Sequence, residues 1–112
     1  MRTILYSDEV RAFLEEADEG VLIKFDYVLS ILQSQPVVNA KTAKKLTGTP
    51  LHELRIQVGN EYRILCFAID HDNITQARNI LLLNAFMKKA TKDYDKQIKR
   101  ALKILEQWTD RR

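Results

Sequence analysis

The stretch that decides the fold is LHELRIQVGNEYRILCFAI, residues 51–69. Its first part alternates. Leu54, Ile56 and Val58 fall on one face and Glu53, Arg55 and Gln57 on the other, the period of a half-buried strand. Gly59, Asn60 and Glu61 supply a turn, and residues 62–69, YRILCFAI, are apolar on both faces except at Arg63. An apolar run interrupted only once reads as a central strand. Downstream, DHDN forms a second turn, ITQARN is ambiguous, and ILLLNAF reads as a third strand of the central type. Sequential strands joined by short turns favour an antiparallel meander.

Outward from the meander the pattern changes period. TILYS, residues 3–7, is a short strand expected at a sheet edge, and Ser7 or Asp8 can cap a helix through DEVRAFLEEADE that is interrupted at Gly20. Val21, Leu22, Phe25, Val28, Leu29 and Leu32 then recur at helical spacing, and Pro36 closes the segment. AKTAKKLTGTP is polar and basic, with turn signals at Gly48 and Pro50. The last segment, KDYDKQIKRALKILEQW, puts Ile98, Ala101, Leu102, Leu105 and Trp108 on one helical side, with Lys96, Lys99, Arg100 and Lys103 on the other. The expected fold is α+β in the order β-α-α-β-β-β-α, with an N-terminal helical hairpin, a C-terminal helix, and the helices on one face of an antiparallel sheet.

With 112 residues there is room for one domain, residues 1–112, and no run of 18 apolar residues exists to cross a membrane. MRTILYSDEV is too short and too soon acidic for a signal peptide, so the expected location is the cytoplasm, away from membranes. The single cysteine, Cys66, cannot form an internal disulfide and is expected to be a buried, inert thiol. His52 and His71 are far apart, and the three glycines stand alone. No metal site, cofactor, phosphate-cradling loop or small-molecule ligand is expected. The net charge of +3 conceals an asymmetry. Residues 1–33 hold seven acidic and three basic side chains, whereas residues 84–112 hold nine basic and four acidic ones. A basic C-terminal end points to an anionic partner or to a solvated helix face.

Taken in order, KKLTGTPLHELRI, EYRILCF and NAFMKKATKDYDKQIKRAL resemble the RelE/ParE superfamily of bacterial toxins, most closely its HigB-type, phage-related branch. The resemblance spans about residues 41–108. It implies a RelE-like fold and a toxin of a type II toxin–antitoxin system. Its expected activity is a ribosome-dependent messenger-RNA endoribonuclease that inhibits translation, with messenger RNA and the ribosome as partners. A cognate antitoxin of the helix-turn-helix type would neutralise it. The ParE branch instead inhibits DNA gyrase without cutting nucleic acid, and an inactive protein-binding relative is a third reading. Residue by residue, the resemblance places Arg63 at the reacting phosphate, Arg55 at a basic position of the preceding strand, Lys88 where the last strand ends, and Tyr94 where an aromatic orients a nucleotide. Lys45 would contact the phosphate backbone. Two departures stand out: HDNITQARN is longer than the usual turn, and Glu53 occupies a position where some RNA-cleaving relatives have lysine.

Metal-free RNA cleavage needs a base for the 2′-hydroxyl, a donor to the leaving 5′-oxygen, and positive charge on the phosphate. Arginine suits the last task, because its planar guanidinium stays charged and grips two oxygens. Arg63 is therefore the leading candidate, set against an ion pair with Glu53 or Glu61. Arg55 can join it only if the two point to the same side of the sheet; otherwise it is a solvated cross-strand charge. Lys88 and Lys89 would point in opposite directions along a continuing strand, with Lys88 favoured for the site and Lys89 for RNA binding. The bland alternative is a solubilising strand end. His52 is an alternative base or RNA contact, or a packing residue. Tyr94 can stack on a base, a contact worth about 1–3 kcal/mol in other aromatic platforms, or simply open the last helix.

Overall fold

The structure, a computed structural model, describes residues 1–110. Five strands, β1 (Thr3–Tyr6), β2 (Ala43–Lys45), β3 (Leu51–Val58), β4 (Asn60–Ala68) and β5 (Asn79–Met87), form one sheet in the order β1-β5-β4-β3-β2. The expected meander is β3-β4-β5, antiparallel throughout, and Gly59 makes its first turn at φ 70°. That left-handed value is one a side chain with Cβ rarely adopts. The predicted N-terminal strand is at the sheet edge, but it runs parallel to β5, so the sheet is mixed.

The expected order needs one addition. Strand β2 lies inside the basic stretch read as turns, pairing Ala43, Lys44 and Lys45 with Leu54, Glu53 and His52. Three residues are too few to show a period of two, and β2 exists because β3 offers it an open edge.

Three helices, α1 (Asp8–Glu16), α2 (Glu19–Ser34) and α3 (Thr91–Asp110), complete the chain. Ser7 caps α1, its side chain accepting from the Val10 N–H. The helical break is at Ala17 and Asp18, both extended, rather than at Gly20, which lies inside α2. What the glycine does is leave room: a Cβ there would meet Val58 Cγ1 at 3.2 Å, tighter than an ordinary contact. Its absence lets α2 approach β3 closely.

The helices cover both faces of the sheet, contrary to the one-sided packing expected. Helices α1 and α2 bury Val10, Phe25, Leu29 and Leu32 against Leu54, Ile56, Ile64, Cys66, Ile80 and Leu82. Helix α3 buries Ala101 and Ile104 against Leu51, Leu65, Leu81 and Leu83 on the other side. The cause is in the strands themselves. Leu51 of β3, Leu65 of β4, and Leu81 and Leu83 of β5 make that second face apolar as well, and leaving it uncovered would cost roughly 1.5–3 kcal/mol per large side chain. Only the part of that second face around Arg55 and Arg63 is polar.

The long connection after β4 folds back onto the core. Ile74 and Ala77 are buried, and the Asp70 carboxylate accepts the Arg78 and Asn79 N–H groups. Arg2 fastens it. Its guanidinium, 7% exposed, donates to the carbonyls of Ile74 and Thr75 in this connection and of Leu32, Gln35 and Pro36 at the end of α2.

Candidate functional site

In an antiparallel pair, residues directly opposite each other share a face. Arg55 is opposite Arg63, and Arg63 is opposite Phe86, so the two arginines do point to the same side, the side on which α3 packs. Glu53 stands two residues before Arg55 on that face, opposite Leu65 and Lys44. At the strand end the Lys88 N–H still donates to the Glu61 carbonyl at 2.7 Å. The chain then turns at Ala90, whose carbonyl accepts the Asp93 and Tyr94 N–H groups and so begins α3. This turn folds Tyr94 back over the strand ends.

Glu53 is the centre of the group. Its carboxylate, on a side chain only 5% exposed, accepts from Arg55 Nε at 2.7 Å and lies 3.4 Å from Arg63 Nε. The Tyr94 hydroxyl donates to its second oxygen. Arg63 also faces Glu61, at 3.5 Å, and donates to the Tyr62 carbonyl at 3.2 Å. The Tyr94 ring stands edge-on to Phe86, with centroids 5.7 Å apart, and Lys88 Nζ is 5.8 Å from the Tyr94 ring centre. Lys89 borders the adjoining hollow beside Tyr94 and Lys96.

The predicted residues are thus divided. Arg55, Arg63, Lys88, Lys89 and Tyr94 are brought together. Lys45 and His52 are not: they pair with each other across β2 and β3 on the opposite face, beside Ala43 and Ile74. The lysine on the arginine face is Lys44. In the adjacent pair Lys44–Lys45 one residue must face each way, and only the register of β2 tells which. The two arginines also differ. Arg63 is 3% exposed and held by two carboxylates, while Arg55 is 52% exposed and is the guanidinium presented to solvent.

Glu53 is the residue that sequence reasoning undervalued. Its signal was present in the strict alternation Glu53, Arg55, Gln57, which places it beside Arg55. What the sequence does not display is that α3 closes over it and brings the Tyr94 hydroxyl. A buried carboxylate with two guanidiniums and a hydroxyl is a satisfied group, and such a network fixes the geometry of each member.

Burial lowers the His52 pKa, and Lys45 beside it acts in the same direction. Its Nδ1 is buried without a hydrogen-bond partner among the described residues. The folded protein therefore prefers neutral His52. That contribution to stability is complete above the unfolded value of about 6.5 and is lost as pH falls below it toward the folded value. The expected result is a steeper loss of melting temperature between pH 7.5 and pH 5 for the parent than for His52→Gln. Equal slopes would contradict it. Cys66 is fully buried, and its thiol pKa is pushed up to about 12, which leaves it without thiolate character at neutral pH.

The fold is that of the RelE toxins. It superposes on a double arginine-to-alanine mutant of E. coli toxin RelE in the free state with a TM-score of 0.64 at 16% identity, covering 88% of this chain and 96% of that one. The isolated E. coli RelE toxin gives 0.59 at 16% identity over 89% and 98%, and the intact E. coli RelBE toxin–antitoxin complex gives 0.59 at 14% over 80% and 100%. Residues 12–106 match the family of phage-derived Gp49-like proteins, and the chain belongs to that family. No curated protein matches the sequence.

Proposed function

We propose that the protein is the toxin of a toxin–antitoxin pair: a metal-independent, ribosome-dependent endoribonuclease that cuts messenger RNA in the cytoplasm and is held inactive by a cognate antitoxin, of the helix-turn-helix type. The observation that carries this is the single sheet face on which Arg55, Arg63, Lys88 and Tyr94 gather around Glu53, beside a hollow bordered by Lys89 and Lys96. The fold shared with RelE toxins and the resemblance in residues 41–108 support it.

In the proposed reaction the 2′-hydroxyl gives its proton to solvent water as its oxygen attacks the adjacent phosphorus, the bond from phosphorus to the 5′-oxygen breaks, and a 2′,3′-cyclic phosphate and a 5′-hydroxyl result. Arg55, the exposed guanidinium, takes the phosphate oxygens. Arg63 lies behind it and adds positive charge to the same spot. Lys88 is placed to give a proton to the leaving 5′-oxygen, and Tyr94 to set a nucleotide against its ring. Glu53 is a positioning residue, holding Arg55 and the Tyr94 hydroxyl at fixed points before substrate arrives. Lys44 and Lys89 extend the basic surface along the RNA backbone.

Pulse labelling after induction without a partner tests the class of target. Methionine incorporation is expected to fall first, with thymidine incorporation following. Loss of thymidine incorporation first, with translation continuing, would replace this function with gyrase inhibition, for which the same fold serves.

A further inference from the structure

Strand β1 is too short for its neighbour. It pairs Thr3, Ile4, Leu5 and Tyr6 with Asn79, Ile80, Leu81 and Leu82 of β5, and then the chain leaves the sheet to enter α1. Ser7 extends the contact by one step, its N–H donating to the Leu82 carbonyl and its hydroxyl to the Leu83 carbonyl. Beyond that point Asn84–Met87 have β4 on one side and, among the described residues, no strand on the other.

Alternation tells which groups the open edge presents. The Lys88 N–H faces β4, since it donates to the Glu61 carbonyl there. The N–H and C=O groups of Phe86 and Asn84 face the same way, and those of Met87 and Ala85 face the open edge. An unpaired edge is a template for a further strand, and proteins that do not use one usually cover or charge it. Here, among the described residues, no strand pairs with it. It forms the floor of a cleft of about 600 Å³ between α1 and α3, lined by Ala85 and Met87.

The walls describe the guest. Phe13 and Val21 from the helical hairpin and Tyr62 from β4 give an apolar lining. Glu9, Glu16 and Asp18 stand around it, and the cation among the lining residues, Arg100 of α3, is engaged with Glu9 at 3.6 Å. This acidic rim belongs to an N-terminal third with seven acidic and three basic residues, in a chain whose net charge is +3. Asn84 borders the cleft 3% exposed. Its amide nitrogen donates to the Gln97 carbonyl and side-chain oxygen, while its Oδ1 has no hydrogen-bond partner among the described residues. An apolar floor, acidic rim, unpaired strand edge and spare buried acceptor fit one class of occupant.

We propose that the edge of β5 at Ala85 and Met87 accepts one extended, basic peptide segment of a protein partner as an added strand. Main-chain bonds to Ala85 and Met87 supply the affinity, small apolar side chains fill the floor against Phe13 and Val21, and flanking lysine or arginine meets Glu16 and Asp18. Edge-to-edge pairing of two copies does not suit this cleft, because each edge lies at its floor between α1 and α3. The inference does not depend on the function proposed above, because it concerns the open edge of β5 rather than the face that carries Arg55 and Arg63, and it is read by binding alone.

Amide hydrogen exchange followed by NMR on the purified full chain tests it. The probe is a blocked heptapeptide with lysine at both ends of an alternating valine–threonine core. Without peptide, the Ala85 and Met87 amides should exchange much faster than Phe86. With peptide, they should become protected by about tenfold or more. N-methylation of one alternate set of peptide residues should weaken binding by about tenfold, and of the other set by less than about threefold, because only one set faces β5. Exchanging both lysines for glutamate should remove binding. Met87→Pro deletes an N–H that points away from β4 and is compatible with an edge position, so it should weaken binding while Met87→Ala does not. Unchanged exchange at Ala85 and Met87 with saturating peptide, or equal effects of both methylation patterns, would overturn the proposal.

Discussion

Arg55→Ala is expected to lower RNA cleavage by about 10²–10³-fold while leaving the melting temperature within about 2 °C of the parent, whereas Arg63→Ala is expected to lose cleavage and stability together. The difference follows from exposure. Arg55 is 52% exposed, and its ion pair with Glu53 is of the surface kind that contributes about 0–1 kcal/mol. Its removal leaves Glu53 with Arg63 and Tyr94 still in place. Arg63 is 3% exposed between Glu53 and Glu61, and its loss leaves a buried carboxylate short of charge. Breaking a buried pair by deleting one partner costs about 3–5 kcal/mol, which sets the scale. Arg63→Lys separates the two effects: it keeps the charge but not the fork, and should regain much of the stability with little of the activity. Cleavage by Arg55→Ala at the parent rate would remove Arg55 from the phosphate contact.

The second large effect lies far from the candidate site. Arg2→Ala is expected to cost about 3–5 kcal/mol and to lower the melting temperature by roughly 15 °C, measured by calorimetry or circular dichroism. One guanidinium donates to five carbonyls from two segments, which are otherwise joined by the Val38 N–H donating to the Thr75 hydroxyl. Its removal strands buried acceptors at the end of α2 and in the connection before β5. Arg2→Lys should recover only part of the loss, because an ammonium has three donors and a single centre. A shift under about 3 °C for Arg2→Ala would mean that water replaces the guanidinium at no cost.

Much of this fold was legible because its signals are local. The clean alternation of Leu54, Ile56 and Val58 fixes β3, the run around Ile64 and Cys66 fixes β4, and Ser7 fixes the start of α1. The errors arose where the cause is distant. Strand β2 is created by a neighbour's edge, not by its own three residues. The break between α1 and α2 looked like the work of Gly20, but that glycine serves the contact with Val58. Placing the helices on one face overlooked what the strands already displayed, since Leu51, Leu65, Leu81 and Leu83 need a cover of their own.

The candidate site divides in the same way. That Arg55 and Arg63 share a face is a consequence of a two-strand register that the turn at Gly59 sets, and the alternation carries it. That Lys44 and not Lys45 joins them depends on the register of β2, which no pattern within the stretch encodes. The role of Glu53 depends on α3 bringing Tyr94 across 41 positions of sequence, a contact that only tertiary structure reveals.

The central claim is tested most directly by translating a defined messenger RNA in a reconstituted system with the purified protein and mapping the RNA ends. New 5′-hydroxyl ends within the reading frame are expected when ribosomes are present, few or none when they are omitted, and almost none with Arg55→Ala. Intact messenger RNA and undiminished translation at saturating protein would contradict the assignment of the Arg55–Glu53–Arg63 face to RNA cleavage.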